Sequence, residues 1–247
     1  MTKQLIRYVG HSQGTTQMFA ALSDPVIRPT VAPYVKAFYA LAPIVYLNQN
    51  HVPVVDFATT IRGLIKFAAL RFGVNYLEKG TCLWDQYYID KLNKQCGSQP
   101  KSCYKEVKYT DLVPKVNNWA RAGYRALLEP SGASVNSFLH YAQILDAQRK
   151  NHEAFPKFDY GPSGNRQHYG NSHPPNYDLS LIREKVRLWM GTADALGTTP
   201  ETHRIVKNMV NAPDVQVKYL RDWGHETFHF ALDNHYYLEL AKHLAED

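Results

Sequence analysis

Short apolar runs alternate with helical patterns at both ends of the chain. Four runs have the length and composition of buried strands: residues 4–9, 35–41, 186–190 and 215–220. Helical spacing is found over 15–22, from about 198, and from about 235 to 244, and Thr198 and Glu201 have the spacing of a capping box. Strands that alternate with helices are typical of α/β proteins. The pattern therefore predicts a mostly parallel sheet with helices packed against it.

The pattern changes between residues 47 and 158, where no strand is predicted. Apolar residues recur there at helical spacing, first at Phe57, Ile61, Leu64, Ile65, Ala68 and Phe72 and later at Val135, Phe138, Leu139, Ala142 and Leu145. A helical insert between two strands of such a sheet can close over an active site. We therefore expect an α/β core from residues 1–46 and 159–247 and a helical cap from 47–158. Residues 159–177 are rich in Gly, Pro, Asn and Ser and predict a long loop.

A Gly-x-Ser-x-Gly motif follows directly on the first predicted strand, with Ser12 at its centre. In a nucleophile elbow of this kind, a sharp turn from strand to helix lifts a serine hydroxyl above the sheet. We expect both Gly10 and Gly14 to be required, because a Cβ at either position would crowd the turn. The preceding strand and the following helix supply the context that the motif demands. Ser12 is therefore the predicted nucleophile.

An acid and a histidine each follow a later predicted strand. Asp194 comes after the third strand and His225 after the fourth. The order Ser12, Asp194, His225 is the chain order of the α/β-hydrolase triad. Because parallel strands end at the same edge of a sheet, we expect the three side chains to meet there. His225 would accept the proton of Ser12, and Asp194 would fix the tautomer of the imidazole.

Other residues compete for these roles. Asp24 and Asp222 are alternative acids, although a helix stop and a loop residue explain them better. Residues 225–229 also spell His-Glu-x-x-His, and His235 follows at the spacing of a third zinc ligand. A zinc protease of that class needs a glycine where Leu232 stands and a later methionine, and it leaves the serine motif unexplained. We therefore expect neither a metal nor another cofactor.

Composition narrows the possible partners. The net charge of +6 comes from Lys and Arg residues scattered along the chain, which is weak evidence for nucleic-acid binding and mildly favours anionic lipid surfaces, although a basic solvated surface explains it better. No apolar run approaches the roughly 20 residues that span a bilayer, and Lys3 and Arg7 interrupt any signal-peptide pattern. Two features leave alternatives open. The cysteines Cys82, Cys96 and Cys103 fit one disulfide plus a free thiol or three thiols, and Arg62, Lys66 and Arg71 fit ordinary helix packing or a lipid interface.

Beyond these patterns, the chain resembles the acid lipases, the family that includes gastric lipase and lysosomal acid lipase. The similar segments run through the whole chain in the family's order: Tyr-Val-Gly-His-Ser-Gln-Gly-Thr-Thr at 8–16, Ala-Phe-Tyr-Ala-Leu-Ala-Pro at 37–43, Ser-Gly-Ala-Ser-Val-Asn-Ser-Phe-Leu-His-Tyr-Ala-Gln at 131–143, Phe-Asp-Tyr-Gly at 158–161 and Pro-Pro-Asn-Tyr at 174–177. The resemblance implies an α/β-hydrolase fold with Ser12, Asp194 and His225 as catalytic residues. It also implies that the backbone N–H of Gln13 is one oxyanion donor.

The resemblance implies a lipid ester as substrate, either a triacylglycerol or a steryl ester, an acid working pH, and a secreted or lysosomal location. Family members place several strands before the elbow, whereas eleven residues precede Ser12 here. We therefore expect a fragment of a longer lipase, without the loop that carries the second oxyanion donor. Expressed alone, it should be poorly soluble, because one edge of its first strand is unpaired, and nearly inactive. The alternative is a lipid-binding protein that keeps the cap and the triad residues without turnover.

Overall fold

The computed structural model describes residues 5–50, 63, 65, 76–77, 116–118, 121 and 133–246. Within these residues, the strands are β1 (Ile6–His11), β2 (Val35–Leu41), β3 (Tyr76–Leu77), β4 (Ala133–Ser134), β5 (Lys185–Gly191) and β6 (Val215–Leu220). Four of them form a parallel sheet in the order β1-β2-β5-β6. The short strands β3 and β4 pair antiparallel with each other. Since all four sheet strands run the same way, the residues that follow them lie at one edge.

Helices cover the sheet. They are α1 (Gln13–Ser23), α2 (Arg28–Val31), α3 (Val135–Lys150), α4 (Gly161–Tyr169), α5 (Thr199–Asn208), α6 (Thr227–Phe230) and α7 (His235–Glu246), with 3-10 turns at Ala32–Tyr34 and Leu179–Leu181. The longest of these, α3, begins at Ser134, whose hydroxyl accepts hydrogen bonds from the N–H groups of Asn136 and Ser137. In the part of the chain that the structure describes, no helix has both the length and the apolar character needed to cross a membrane.

Two apolar layers hold the sheet between the helices. Alternate residues of β2 face opposite sides, so Phe38 joins a cluster with Phe19 of α1, and Tyr39 joins a cluster with Tyr236 of α7. Phe38, Tyr39 and Phe19 are fully buried. A parallel strand that is covered on both faces reads as a continuous apolar run. This burial explains why β2 could be predicted from its composition.

The predicted strands and most of the predicted helices are confirmed. β2 and β6 have the predicted bounds, β5 extends one residue further at each end, and β1 begins and ends two residues later than predicted. Among the described strands, β1 lies at one edge of the sheet, and its Ile6 and Val9 are exposed, which agrees with the expected unpaired apolar edge. An apolar edge strand is a known aggregation hazard.

Three details of the sequence prediction were wrong. Helix α4 occupies part of the predicted loop 159–177, between a proline near its first turn and Gly170 in the left-handed conformation. Both residues are typical helix boundaries as well as loop signals. Thr198 precedes α5 but makes no capping bond through its side chain, and Glu201 instead accepts a hydrogen bond from the N–H of Gln49 at 2.7 Å.

The third correction concerns the segment 47–158, where β3 and β4 pair although no strand was predicted. Each strand is only two residues long, too short to leave a pattern in the sequence. The predicted helix over 57–72, its basic residues and the three cysteines lie outside the described residues, apart from Gly63 and Ile65. The boundaries of core and cap remain a prediction.

Candidate active site

Ser12 sits at a sharp turn between β1 and α1. Its φ of 52° and ψ of −118° lie in a region that non-glycine residues rarely adopt, and such a conformation costs about 1–3 kcal/mol. The surrounding chain holds it there, because the N–H of Ser12 donates to the carbonyl of Leu41 at 3.0 Å. Clustering of strained residues at functional sites makes this turn the first candidate site.

A continuous set of hydrogen bonds joins the three residues that the sequence predicted. The hydroxyl of Ser12 lies 2.6 Å from Nε2 of His225, and Nδ1 of His225 lies 2.9 Å from Oδ2 of Asp194. With a proton on Nδ1, the imidazole donates to Asp194 and offers Nε2 to the serine hydroxyl. The three residues follow β1, β5 and β6 respectively. The sheet therefore brings together residues that are more than 200 positions apart.

The hydrogen bonds around Asp194 favour its ionised form. Its second oxygen, Oδ1, accepts hydrogen bonds from the N–H groups of Leu196 and Gly197, both at 2.8 Å. Burial alone would raise the pKa of Asp194, but the attraction and hydrogen bond of His225 and these two N–H groups outweigh it and lower the pKa. A carboxylate with all its acceptors engaged keeps one orientation. It can therefore hold the ring of His225 in one tautomer.

The acid loop and the histidine loop press against each other at Gly191, the last residue of β5. A Cβ added at Gly191 would lie 2.1 Å from the carbonyl oxygen of Trp223, so only glycine fits there. The same carbonyl accepts a hydrogen bond from the N–H of Ala193 at 2.9 Å. This close approach fixes the distance between the loops that carry Asp194 and His225.

Two threonines after the elbow fasten α1 to the rest of the molecule, and the sequence reasoning missed them. The hydroxyl of Thr15 donates to the carbonyl of Ser12 at 2.6 Å and accepts from the N–H of Ile44 at 2.9 Å. The hydroxyl of Thr16 donates to the carbonyl of Ile44 at 2.7 Å and accepts from Tyr141 of α3 at 2.9 Å. The turn that carries the nucleophile is therefore tied to the segment after β2 and to α3.

His11, directly before the nucleophile, was also missed. Its Nε2 donates to the backbone carbonyl of His225 at 2.9 Å, and its ring lies 4.2 Å from that of His229 and 5.2 Å from that of His225, measured between ring centroids. Burial, together with repulsion from His225 and His229, lowers the pKa of His11 to about 3. His11 therefore stays neutral in mildly acidic solution. Its partner lies 214 residues along the chain, so no local pattern could identify it.

The low pKa of His11 predicts how stability depends on pH. An unfolded histidine binds its proton near pH 6.5, whereas folded His11 does so at about 3. Its contribution is complete above pH 6.5 and is lost as the pH falls towards 3, with a slope of up to about 1.4 kcal/mol per pH unit. We expect His11→Gln, which keeps a donor for the carbonyl of His225 but does not titrate, to lose less stability between pH 6.5 and pH 4.5.

Denaturant unfolding of the wild type and His11→Gln at a series of pH values measures this difference. The curve of unfolding free energy against pH should be flatter for the variant across that range. Parallel curves for the two proteins would contradict the neutral state of the partly buried His11.

The alternative residues take other roles. Asp24 ion-pairs with Lys157 at 2.7 Å and accepts a hydrogen bond from the N–H of Val26, which agrees with a helix stop. The side chain of Asp222 is exposed in a turn of positive φ. His225 of the His-Glu-x-x-His motif faces Ser12 and Asp194, while His235 is exposed and contacts Asp233. Among the described residues, no group of three potential ligands is arranged to hold a metal.

Gln13 opens α1, where a backbone N–H has no acceptor within the helix. Its position directly after Ser12 is the one expected of an oxyanion donor. A cavity of about 310 Å³ lies beside this end of α1 and extends to α3. Its walls combine polar and apolar side chains: Gln13, Thr16, Gln17, Ala20, Ser137, His140, Tyr141, Ile144, Phe155 and Tyr177.

Comparison with curated proteins connects this geometry to a family. Rat gastric triacylglycerol lipase is 30% identical over 99% of this chain and 59% of its own length, and mouse lipase member K is 28% identical over 94% of this chain and 54% of its own. The chain is homologous to the acid lipases. It spans just over half the length of these curated relatives. No family model matches this acid lipase homologue.

Comparison with solved structures identifies the fold. A monoacylglycerol lipase from Paleococcus ferrophilus superposes with a TM-score of 0.50 at 14% identity, covering 98% of this chain and 67% of that one. A monoglyceride lipase from Saccharomyces cerevisiae gives a TM-score of 0.51 at 12% identity, covering 96% and 61% respectively. At such identities the likeness concerns the fold alone. The acid lipase homologue has an α/β-hydrolase fold, as the sequence predicted.

Proposed function

We propose that this protein is a serine hydrolase that cleaves the carboxylic esters of neutral lipids. The observation that carries the proposal is the set of hydrogen bonds from Ser12 through His225 to Asp194, at 2.6 and 2.9 Å. A serine hydroxyl is a weak nucleophile until an adjacent base accepts its proton. Here the base is in contact with the hydroxyl and is itself oriented by a buried carboxylate.

In the first half of the proposed reaction, Oγ of Ser12 attacks the carbonyl carbon of the ester while its proton passes to Nε2 of His225. The carbonyl oxygen becomes an oxyanion, which the N–H of Gln13 stabilises. Asp194 stabilises the imidazolium that forms and does not itself take the proton. Collapse of this intermediate breaks the bond to the alcohol, which leaves with the proton from His225.

In the second half, water attacks the acyl group on Ser12, and His225 accepts the proton of that water. The bond between the acyl group and Ser12 breaks, and the proton returns to the serine oxygen. The products are a fatty acid and the free enzyme. No cofactor is needed, because every proton moves between the substrate, water, Ser12 and His225.

The relatives support a lipid substrate. The rat relative is named a triacylglycerol lipase, and lipase member K and two nematode proteins are also named lipases. We therefore place triacylglycerols first and steryl esters second among the expected substrates. The secreted or lysosomal location that the resemblance implies stays a prediction.

The proposal is tested by hydrolysis of emulsified triacylglycerol and of a soluble short-chain ester by the wild type and Ser12→Ala. We expect the wild type to release acid from both substrates, slowly, as expected of this chain expressed alone, but measurably faster than Ser12→Ala, which should fall to the uncatalysed background because the acyl group has no acceptor. Ser23→Ala is the matched control, since Ser23 is buried in α1 but its hydroxyl makes no hydrogen bond to any residue that the structure describes.

Equal hydrolysis by the wild type and Ser12→Ala would contradict the proposal. Binding of the emulsion by a wild type that releases no acid would also contradict it and would favour a lipid-binding protein without turnover.

A further inference from the structure

A short piece of the predicted cap lies against the chain that follows the catalytic histidine. The N–H of Asn118 donates to the carbonyl of Phe230 at 2.6 Å, and the N–H of Leu232 donates to the carbonyl of Val116 at 2.8 Å. Between these two bonds, Asn117 and Ala231 form an antiparallel bridge. Backbone hydrogen bonds on both sides of Asn117 therefore hold the segment 116–118 against residues 230–232, at the end of α6.

The side chain of Asn117 reaches further, towards His225 itself. Asn117 is completely buried, and its Oδ1 accepts a hydrogen bond from the hydroxyl of Thr227 at 2.8 Å. Thr227 is also completely buried, and its Oγ1 accepts from the N–H of Gly224 at 2.9 Å. Gly224 is the residue directly before His225.

The direction of these bonds gives Asn117 a specific role. A threonine hydroxyl has one proton, and the amide oxygen of Asn117 can only accept. With that proton directed at Asn117, the lone pairs of Thr227 are left facing the N–H of Gly224. Asn117 thus orients Thr227, and Thr227 closes the turn 224–227 on which His225 stands.

A second bond holds the same turn from the other side, because His11 donates to the carbonyl of His225. The backbone of His225 is therefore fixed at its own carbonyl and at the preceding N–H. The ring of His225 lies 2.6 Å from Ser12 and 2.9 Å from Asp194, so both hydrogen bonds depend on where this backbone holds the ring. A displacement of about 1 Å in a catalytic group can cost a hundredfold in rate.

We propose that Asn117 is a positioning residue for His225, acting through the hydroxyl of Thr227. This inference rests on the proposed function, and it makes the catalytic geometry depend on a segment of the predicted cap. The amide oxygen of Asn117 is hydrogen-bonded to Thr227, whereas Ser12 is hydrogen-bonded to His225. Loss of the Asn117 side chain should leave binding of a small probe unchanged and slow the chemical step at Ser12.

The test is the rate at which a small fluorophosphonate labels Ser12 at saturating and sub-saturating concentrations across a range of pH. We expect Asn117→Ala to lower the maximal labelling rate by about ten- to a hundredfold, with the half-saturating concentration unchanged. Asn165→Ala is the matched control, because Asn165 is also buried and hydrogen-bonded, to Asp159 and Ser172, but stands in α4. It should be destabilised and still label at the wild-type rate.

Two variants of Thr227 guard against a misfolded Asn117→Ala. Thr227→Val keeps the shape of the side chain without the hydroxyl and should label slowly, whereas Thr227→Ser keeps the hydroxyl and should restore most of the rate. Combining Asn117→Ala with Thr227→Val should add little further loss, because both changes break the same set of bonds. Folded Asn117→Ala or Thr227→Val that labels at the wild-type rate with the wild-type pH profile would overturn the proposal.

A spectroscopic measurement separates this inference from the proposed function. The proton between Nδ1 of His225 and Asp194 should give a downfield NMR signal that shifts or broadens in Asn117→Ala and Thr227→Val but not in Asn165→Ala. A wild type that is not labelled at Ser12 would refute the proposed function without deciding the role of Asn117. In that case, an unchanged signal in both variants would overturn the positioning role, and a shifted signal would support it.

Discussion

Asp194→Asn is expected to slow the reaction of Ser12 with a fluorophosphonate by about 10⁴-fold, the loss seen when the acid of such a triad becomes an amide. In the variant, Oδ1 can still accept from the N–H groups of Leu196 and Gly197. The amide nitrogen then replaces the oxygen that faces Nδ1 of His225. The imidazole must carry its proton on Nε2, where it can no longer accept the proton of Ser12.

The rate of phosphonylation of the purified variant measures this effect, and Asp222→Asn is its control. Asp222 lies three residues before His225, but its side chain is exposed, so its variant should react at the wild-type rate. A large loss of rate in Asp222→Asn together with an unchanged rate in Asp194→Asn would contradict the assignment of Asp194 as the acid.

Gly10→Ala is expected to destabilise the fold by about 1–3 kcal/mol, the usual cost of forcing an extra carbon into a packed site. The added Cβ would lie 2.8 Å from two backbone atoms of Gly14 and 2.8 Å from a ring carbon of Tyr8. Tyr8 cannot easily move, because its hydroxyl donates to the carbonyl of Gly14 at 3.0 Å. Relief of the clash would therefore shift the elbow that carries Ser12 and slow its labelling as well.

Gly14→Ala provides the matched comparison within the same motif. A Cβ at Gly14 meets only the hydroxyl of Tyr8 at 3.6 Å, an ordinary contact. Alanine in a helix is more stable than glycine by about 0.5–1 kcal/mol, so this variant should be as stable as the wild type or slightly more so. Denaturant unfolding of both variants measures the contrast, and equal losses would contradict the packing described for the elbow.

The structure corrects one prediction made from the Gly-x-Ser-x-Gly motif. The motif predicted that both glycines are required, and the structure requires only Gly10 on steric grounds. A sequence motif shows that two positions hold glycine but not which of them faces a neighbouring backbone. That distinction depends on the backbone of Gly14 and on the ring of Tyr8, both 2.8 Å from a Cβ at Gly10.

The residues proposed for catalysis could be predicted because each follows a strand with a strong local pattern. β5, which precedes Asp194, is buried on nearly its whole length, so its composition marks it, and the Gly-x-Ser-x-Gly motif marks the turn after β1. Parallel strands then place Ser12, Asp194 and His225 at one edge without further information. The topology of the sheet therefore brings three residues, each predicted from its own local pattern, into one site.

The residues that support the site could not be predicted in this way. His11 and Asn117 act through contacts with partners 214 and 110 positions away, and both partners are main-chain or hydroxyl groups that leave no mark in the sequence pattern. Helix α4 lies in a stretch whose Gly, Pro, Asn and Ser content predicts a loop, and it buries a polar residue, Asn165, so no apolar stripe indicates the helix. Tertiary contacts decide such features.

The most direct test of the central claim is to locate the adduct by mass spectrometry after the intact chain has reacted with a fluorophosphonate. The hydrogen bonds from Ser12 to His225 and from His225 to Asp194 predict a single modified peptide that carries the phosphonyl group on Ser12, lost in Ser12→Ala and in His225→Ala. An adduct on another serine, or labelling of Ser12 that survives His225→Ala at the wild-type rate, would contradict the account.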